Sequence, residues 1–265
     1  MDMELKDRTA LVTGGSKGIG LAVAEALAKE GARVAVAARG ATPELKELMN
    51  EHDVEHFAVD LADPRGPDRL MAAVTASYGS LDLLVNNVGA SEAAETSTAF
   101  TDEQWQRLFE VNFFGIVRMV RAAVPLLTAG GNGAVVNVAS LNARLPQGMI
   151  APYSAAKAAL VNFGKAVSEE LAPQGVRVNS ILPGPVRTPL WTEPGGFAHQ
   201  LAAQAGTTAE DLMDRVLPES MAISLGRVAE PEEVADLVLF LCSPRASYVT
   251  GAEYVIGGGM LKSTA

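Results

Sequence analysis

The chain has 265 residues, of which 48% are hydrophobic and 5% aromatic, with 25 glycines, 14 prolines and a formal charge of −10. That length accommodates one or two domains with a sizeable core, and the composition excludes a collagen, a coiled coil, a disulfide scaffold and a disordered tail protein. A lone cysteine, Cys242, excludes an intramolecular disulfide and a cysteine zinc cluster, and the acidic balance argues against a surface that tracks nucleic-acid phosphates.

Residues 1–8 carry Asp2, Glu4, Lys6, Asp7 and Arg8 and lack the apolar run of a signal peptide. No uncharged apolar run approaches the ~20 residues that span a bilayer. With no Asn-x-Ser/Thr acceptor either, the expected location is the cytoplasm, without a membrane partner.

Short apolar runs then alternate with helical patterns. Strands are expected at Thr9–Thr13, Arg33–Ala38, residues 56–60, Leu83–Asn86, residues 134–139, residues 176–182 and Glu253–Ile256. Several are continuously apolar, as strands covered on both faces are. Residues 19–29 set Ile19, Val23, Ala26 and Leu27 on one stripe and stop before Gly31. Asp63 is the expected N-cap of a helix through Tyr78, with Pro64 at its first position. Thr101 and Gln104 fit a capping box on a helix through Leu127. Pro152 opens a helix through Leu171, and Pro231 another through Leu241. This order predicts an α/β fold, a doubly wound, mostly parallel sheet with helices on both faces. A polar helical stretch at about residues 187–225 contains no strand and reads as a lid over the carboxyl ends of the sheet, within one domain spanning residues 1–265.

The first strand runs directly into Thr13-Gly14-Gly15-Ser16-Lys17-Gly18-Ile19-Gly20, with G-x-x-x-G-x-G spacing. Glycines there permit a tight turn and let backbone N–H groups approach a pyrophosphate at the positive end of a helix. No Gly-Lys-Ser/Thr closes the loop, which excludes a Walker A site. An NAD binder needs an acid at the end of the second strand to hold the ribose hydroxyls. Here that strand ends in Ala38 followed by Arg39, and Lys17 adds a second cation. Two cations without a carboxylate favour a 2′-phosphate, so NADP(H) is the preferred cofactor, with NAD(H) still possible.

Tyr153 and Lys157 lie one helical turn apart on one face. An ammonium beside a phenol favours the phenolate and makes the tyrosine a usable acid or base. With this pair the chain resembles the short-chain dehydrogenase/reductase (SDR) family over nearly its whole length, and within it the 3-oxoacyl-(acyl-carrier-protein) reductases. Residues 13–20 match the family's Thr-Gly-x-x-x-Gly-x-Gly motif. Asn86-Asn87-Val88-Gly89 resembles its Asn-Asn-Ala-Gly motif, with valine for alanine. Asn112 stands in the fourth helix, Ser140 ends the fifth strand, and Pro183-Gly184 follows the sixth.

The resemblance implies a Rossmann-type, seven-stranded NAD(P)-binding fold and a catalytic set of Asn112, Ser140, Tyr153 and Lys157. Tyr153 would exchange the proton with the substrate oxygen and Ser140 would polarise it. Lys157 would bind the nicotinamide ribose and lower the tyrosine pKa, and Asn112 would hold a relay water. Cofactor contacts would come from Gly14, Ser16, Lys17, Gly18, Ile19, Gly20, Arg39, Asp60, Leu61, Asn87, Val88, Gly89, Tyr153, Lys157, Pro183, Gly184, Val186 and Thr188. A homotetramer, or a homodimer, is implied as well. Gly257 stands where many relatives carry an aspartate, which puts a local turn contact in doubt.

By position, residues 91–100, 141–152 and 185–221 line the substrate pocket. Asn142, Arg144, Met149 and Trp191 are the candidate contacts, with Arg144 a partner for a substrate carboxylate and Trp191 either a lid anchor or a subunit contact. The histidines are scattered, so no metal site is expected. The expected activity is NADP(H)-dependent hydride transfer between the nicotinamide and a small-molecule ketone or secondary alcohol. An NAD-dependent alcohol or sugar dehydrogenase working oxidatively, and a non-catalytic cofactor sensor or scaffold, remain open alternatives.

Overall fold

The structure, a computed structural model, describes residues 2–263. Seven strands form one sheet in the order β3-β2-β1-β4-β5-β6-β7, and every pairing is parallel. The strands are β1 (Thr9–Thr13), β2 (Arg33–Ala38), β3 (Val54–Ala58), β4 (Leu83–Asn86), β5 (Ala134–Val138), β6 (Arg177–Pro183) and β7 (Glu253–Ile256). The central strands β1, β4 and β5 are buried throughout, because helices cover both faces and leave no polar side for alternation to mark.

On one face, α1 (Gly18–Lys29), α2 (Pro43–Glu51) and α11 (Pro231–Cys242) build a core with Leu27, Leu45, Val136, Ile181 and Val238. On the other, α3 (Gly66–Tyr78), α5 (Gly115–Ala129) and α6 (Ala151–Leu171) bury Leu70, Met119, Leu127 and Leu160 against Leu84 and Val135. Gly31, at φ +81°, ends α1 in the left-handed region as the sequence requires.

Three elements differ from the sequence reading. The third strand lies at Val54–Ala58, two residues earlier than expected, because its register with β2 starts at Val34 opposite Val54. Asp63 does not cap a helix. Its carboxylate accepts from Arg65 N (3.0 Å) and its carbonyl from Gly66 N (2.8 Å), making a turn that delays α3 to Gly66. The expected continuous helix to Leu127 is interrupted: α4 (Asp102–Phe109), opened by the Thr101–Gln104 capping box, passes through a π-helical turn at Glu110–Phe114 into α5. Helix α2, outside the sequence reading, carries the same start signature used elsewhere: Thr42 accepts from Leu45 N and Pro43 follows it.

By length and mean hydropathy, residues 102–129 would suffice to cross a bilayer. Here that helix packs against α3 and α6 instead, and Arg107, Glu110, Arg118 and Arg121 interrupt it.

The segment after β6 folds as α7 (Pro189–Thr192), α8 (Phe197–Ala205), α9 (Ala209–Asp211) and α10 (Leu217–Ser220). It has a small core of its own, Ala198, Ala202, Leu212, Met213, Leu217, Ile223 and Val228. Arg187, paired with Asp214 and with Glu230 (3.1 Å), ties its root to the start of α11.

Candidate active site

Sequential strands run outward from β1 in one direction and from β4 in the other, so the crevice where ligands bind opens between the carboxyl ends of β1 and β4. A cavity of about 850 Å³ lies there, bounded by the glycine loop, the ends of β4, β5 and β6, and the lid.

The phosphate end is a cradle with no room for side chains. A Cβ on Gly20 would stand 2.3 Å from the Gly14 carbonyl and 2.4 Å from Asn87 Nδ2, and Gly14 and Gly18 have positive φ. Asn87 Nδ2 donates to the carbonyls of Thr13 (3.2 Å) and Gly14 (3.1 Å), locking the loop to β4. Helix α1 begins at Lys17 with no side-chain cap and no acid in its first turn. Its positive end is therefore open to an anion. Ser16, Lys17, Ile19, Arg39, Asp60, Leu61, Val88 and Gly89 line the same cavity. Lys17 Nζ meanwhile donates to both Glu193 oxygens of the lid, at 2.9 and 3.0 Å.

The reacting end gathers Ser140, Tyr153 and Lys157 from β5 and α6. Lys157 is buried, donates to the Val138 carbonyl (2.9 Å), and lies 5.8 Å from the Tyr153 ring centre. Burial lowers its pKa from 10.5 to about 8. Burial raises the Tyr153 phenol above its ordinary value, opposed by a hydrogen bond with Ser140. Ser140 also caps the short turn after β5: its hydroxyl accepts from Asn142 N (3.1 Å) and donates to Asn142 Oδ1 (3.2 Å).

Asn112 sits in the π-helical turn, a geometry that recurs at functional sites. Both its amide protons are engaged: Nδ2 donates to the carbonyls of Ala90 and Leu108, both at 2.8 Å, and Oδ1 accepts from Ala90 N at 3.2 Å. The side chain therefore fixes the chain after β4.

A family model described as enoyl-(acyl carrier protein) reductase matches residues 14–261. The chain is 34% identical over 265 residues to human dehydrogenase/reductase SDR family member 4, covering 96% of this chain and 88% of that one. It is 31% identical to the 3-oxoacyl-(acyl-carrier-protein) reductase of Vibrio cholerae, over 97% of this chain and 99% of that one. The chain belongs to the short-chain dehydrogenase/reductase family. Among solved structures it resembles L-sorbose reductase from Gluconobacter frateurii in complex with NADPH and L-sorbose, with a TM-score of 0.92, 37% identity and full coverage of both chains. It is an oxidoreductase working between carbonyl and alcohol groups with a nicotinamide cofactor.

Of the SDR substrate candidates, Asn142, Met149 and Trp191 line the cavity. Trp191 packs on Phe197 within the lid, at 5.7 Å between ring centres. Arg144 is a correction: it does not line the cavity, and its guanidinium grips Glu253 on β7 at 2.5–3.1 Å. Pro183, Gly184, Val186 and Thr188 line the same cavity. Sequence reasoning missed Arg107 and Met260. Met260 enters the cavity because Gly258 and Gly259 adopt positive φ against Ile223 and Ser224, leaving no space for a side chain. The glycine run thus seats the end of the lid.

Proposed function

We propose that the chain reduces a ketone to a secondary alcohol with NADPH, Tyr153 acting as general acid. The observation that carries this reading is the placement of Tyr153, half-buried, with Ser140 and Lys157 in the cavity beside the glycine cradle. A phenol whose pKa is raised stays protonated at neutral pH, the state that reduction requires. The glycine loop and the uncapped start of α1 fit the pyrophosphate. Arg39 and Lys17, with no carboxylate at the end of β2, fit a 2′-phosphate. The 37% identity to an SDR solved with NADPH supports the same preference.

The bound nicotinamide supplies the hydride. Ser140 turns its single hydroxyl proton from Asn142 Oδ1 to the carbonyl oxygen and fixes its position. As negative charge develops there, the Tyr153 O–H bond breaks and its proton passes to that oxygen, giving the alcohol and a phenolate. With a pKa of about 8, Lys157 still carries its proton at neutral pH and stabilises the phenolate electrostatically. Asn112 holds the Gly89–Ala90 backbone against this centre.

The assembly proposed is a homotetramer. Trp105, Phe109, Phe113, Phe114 and Phe163 form a chain of ring contacts on the outer face of α4–α6, with Phe114 45% exposed, and Val255 is exposed on the edge strand β7. Light scattering tests the assembly. NADPH oxidation over a panel of ketones tests the activity. Tyr153→Phe should lower kcat/KM by roughly 10²–10⁴-fold while NADPH still binds. Unchanged turnover in that variant would refute the assignment.

A further inference from the structure

One ion pair joins the glycine loop to the lid, and the mechanism does not use it. Lys17 Nζ donates to both Glu193 oxygens, at 2.9 and 3.0 Å. Both side chains line the cavity and are half exposed, so a ligand entering the cradle can reach them. Glu193 is held in place by its backbone. It follows α7 directly, its N–H donates to the Pro189 carbonyl (3.0 Å), and its carbonyl accepts from Gly196 N (2.8 Å). A Cβ on Gly196 would stand 2.7 Å from the Trp191 carbonyl and 2.9 Å from that of Glu193, so this turn excludes a side chain. The root of the lid is close to the loop as well, since a Cβ on Gly18 would lie 3.3 Å from Thr188 Cβ. The lid thus meets the glycine loop at two points, Thr188 against Gly18 and Glu193 on Lys17.

The same lysine belongs to the adenosine end of the cavity. Thr42 Oγ donates to the Ser16 carbonyl at 2.8 Å, and Gly14 N donates to the Ala37 carbonyl at 2.7 Å. These bonds clamp the turn after Arg39 to the residue before Lys17 and bring together the segments that carry the two cations. Among the described residues Lys17 is paired with an acid of the lid, whereas Arg39 makes no ion pair. A phosphate monoester carries about two negative charges near neutral pH. It can take Lys17 only by displacing Glu193, and a carboxylate left beside it repels it. The 2′-hydroxyl of NADH makes no such demand.

We propose that Glu193 is a latch on the lid that competes with the 2′-phosphate of NADP(H) for Lys17, and so sets how strongly the chain prefers NADP(H) over NAD(H). The proposal rests on the 2′-phosphate reading above. When NADPH binds, Lys17 exchanges a carboxylate partner for a phosphate one and the lid loses this hold on the loop. When NADH binds, the latch stays closed. The pair is half exposed, so its pull on Lys17 is modest and the phosphate prevails. The competition therefore costs discrimination rather than binding.

The test is fluorescence titration of NADPH and of NADH on the wild type, Glu193→Gln, Lys17→Met and the double variant. Glu193→Gln keeps the size of the side chain and removes its charge. It should tighten NADPH by about two- to fivefold, the strength of an exposed ion pair, and leave NADH unchanged. In the Lys17→Met background the same substitution should bring only a small part of that gain, because the group competed for is gone. An NADPH affinity that is unchanged or weaker in Glu193→Gln overturns the proposal, as does an equal gain for NADH. A gain that persists undiminished without Lys17 overturns it too, since Glu193 then acts through its charge alone. Equal losses of both cofactors in Arg39→Ala would instead refute the 2′-phosphate reading beneath it.

Discussion

Replacing Lys157 by methionine should stabilise the protein while disabling it. The lysine is 2% exposed, with the Val138 carbonyl as its hydrogen-bond acceptor, and burial lowers its pKa from 10.5 to about 8. That displacement corresponds to ~3 kcal/mol against the charged form in the folded state. Methionine keeps most of the apolar stem and removes the charge, but it leaves the Val138 carbonyl without this donor, at ~1–3 kcal/mol. The net expectation is a gain of about 1 kcal/mol at neutral pH, or roughly 2–4 °C in Tm for a chain of this size.

The pH dependence distinguishes this cause from generic repacking. Below pH 8 the lysine is charged in both the folded and unfolded states, and the wild type bears the full penalty. Between about pH 8 and 10.5 the folded protein has released the proton while the unfolded chain still holds it, so wild-type stability rises with pH. The advantage of Lys157→Met should therefore be largest at pH 7 and shrink as pH approaches 10. Thermal melts of cofactor-free protein from pH 6.5 to 10 measure it, and ketone reduction should fall by roughly 10²–10³-fold. A variant less stable at pH 7, or a Tm gap independent of pH, would refute the reasoning.

Two further outcomes follow from the cofactor cradle. Arg39→Ala should weaken NADPH binding by about tenfold or more, the worth of a charge-assisted hydrogen bond, and leave NADH nearly unaffected. Fluorescence titration of both cofactors checks this, and equal losses would refute the 2′-phosphate assignment. Gly20→Ala places a Cβ 2.3 Å from the Gly14 carbonyl, so the loop must open. The expected cost is ~1–3 kcal/mol together with loss of NADPH binding. Gly40→Ala, at a position with open space around it, is the control and should melt with the wild type.

What could be read from the sequence was what depends on near neighbours or on motif order. The turn from β1 into α1, the Thr101–Gln104 capping box and the Tyr153–Lys157 pair are local geometry. Ser140, Asn112 and Asn87 required the order of motifs, because the contacts that define them cross between elements. Arg144 could not be read at all. Its partner Glu253 is 109 residues away on an edge strand, and only the sheet order brings the two together. The displaced start of α3 has a subtler cause: Asp63 satisfies both a helix-cap pattern and a turn pattern. Gly66 decides between them because a Cβ there would stand 2.4 Å from the Asp60 carbonyl. The direction of the pKa shift at Tyr153 was also hidden, since burial is a property of the assembled fold.

The polar groups at the carboxyl end of the sheet reach deeper than the mechanism needs. Asn86 and Asn137 face each other in register across β4 and β5. Asn86 Nδ2 donates to Asn137 Oδ1 at 2.9 Å, while Asn86 Oδ1 and Asn137 Nδ2 are buried without partners. Gly164 on α6 leaves them space, since a Cβ there would stand 2.9 Å from Asn137 Nδ2. Two unpaired buried polar atoms cost stability, as does the buried ammonium of Lys157. The asparagine pair and the lysine both lie toward the carboxyl ends of β4 and β5. A fold selected for stability alone would bury hydrocarbon at all three positions. Because Lys157 reaches the reacting centre and the asparagine pair lies behind it, the stabilising effect expected of Lys157→Met and its loss of turnover have the same physical origin.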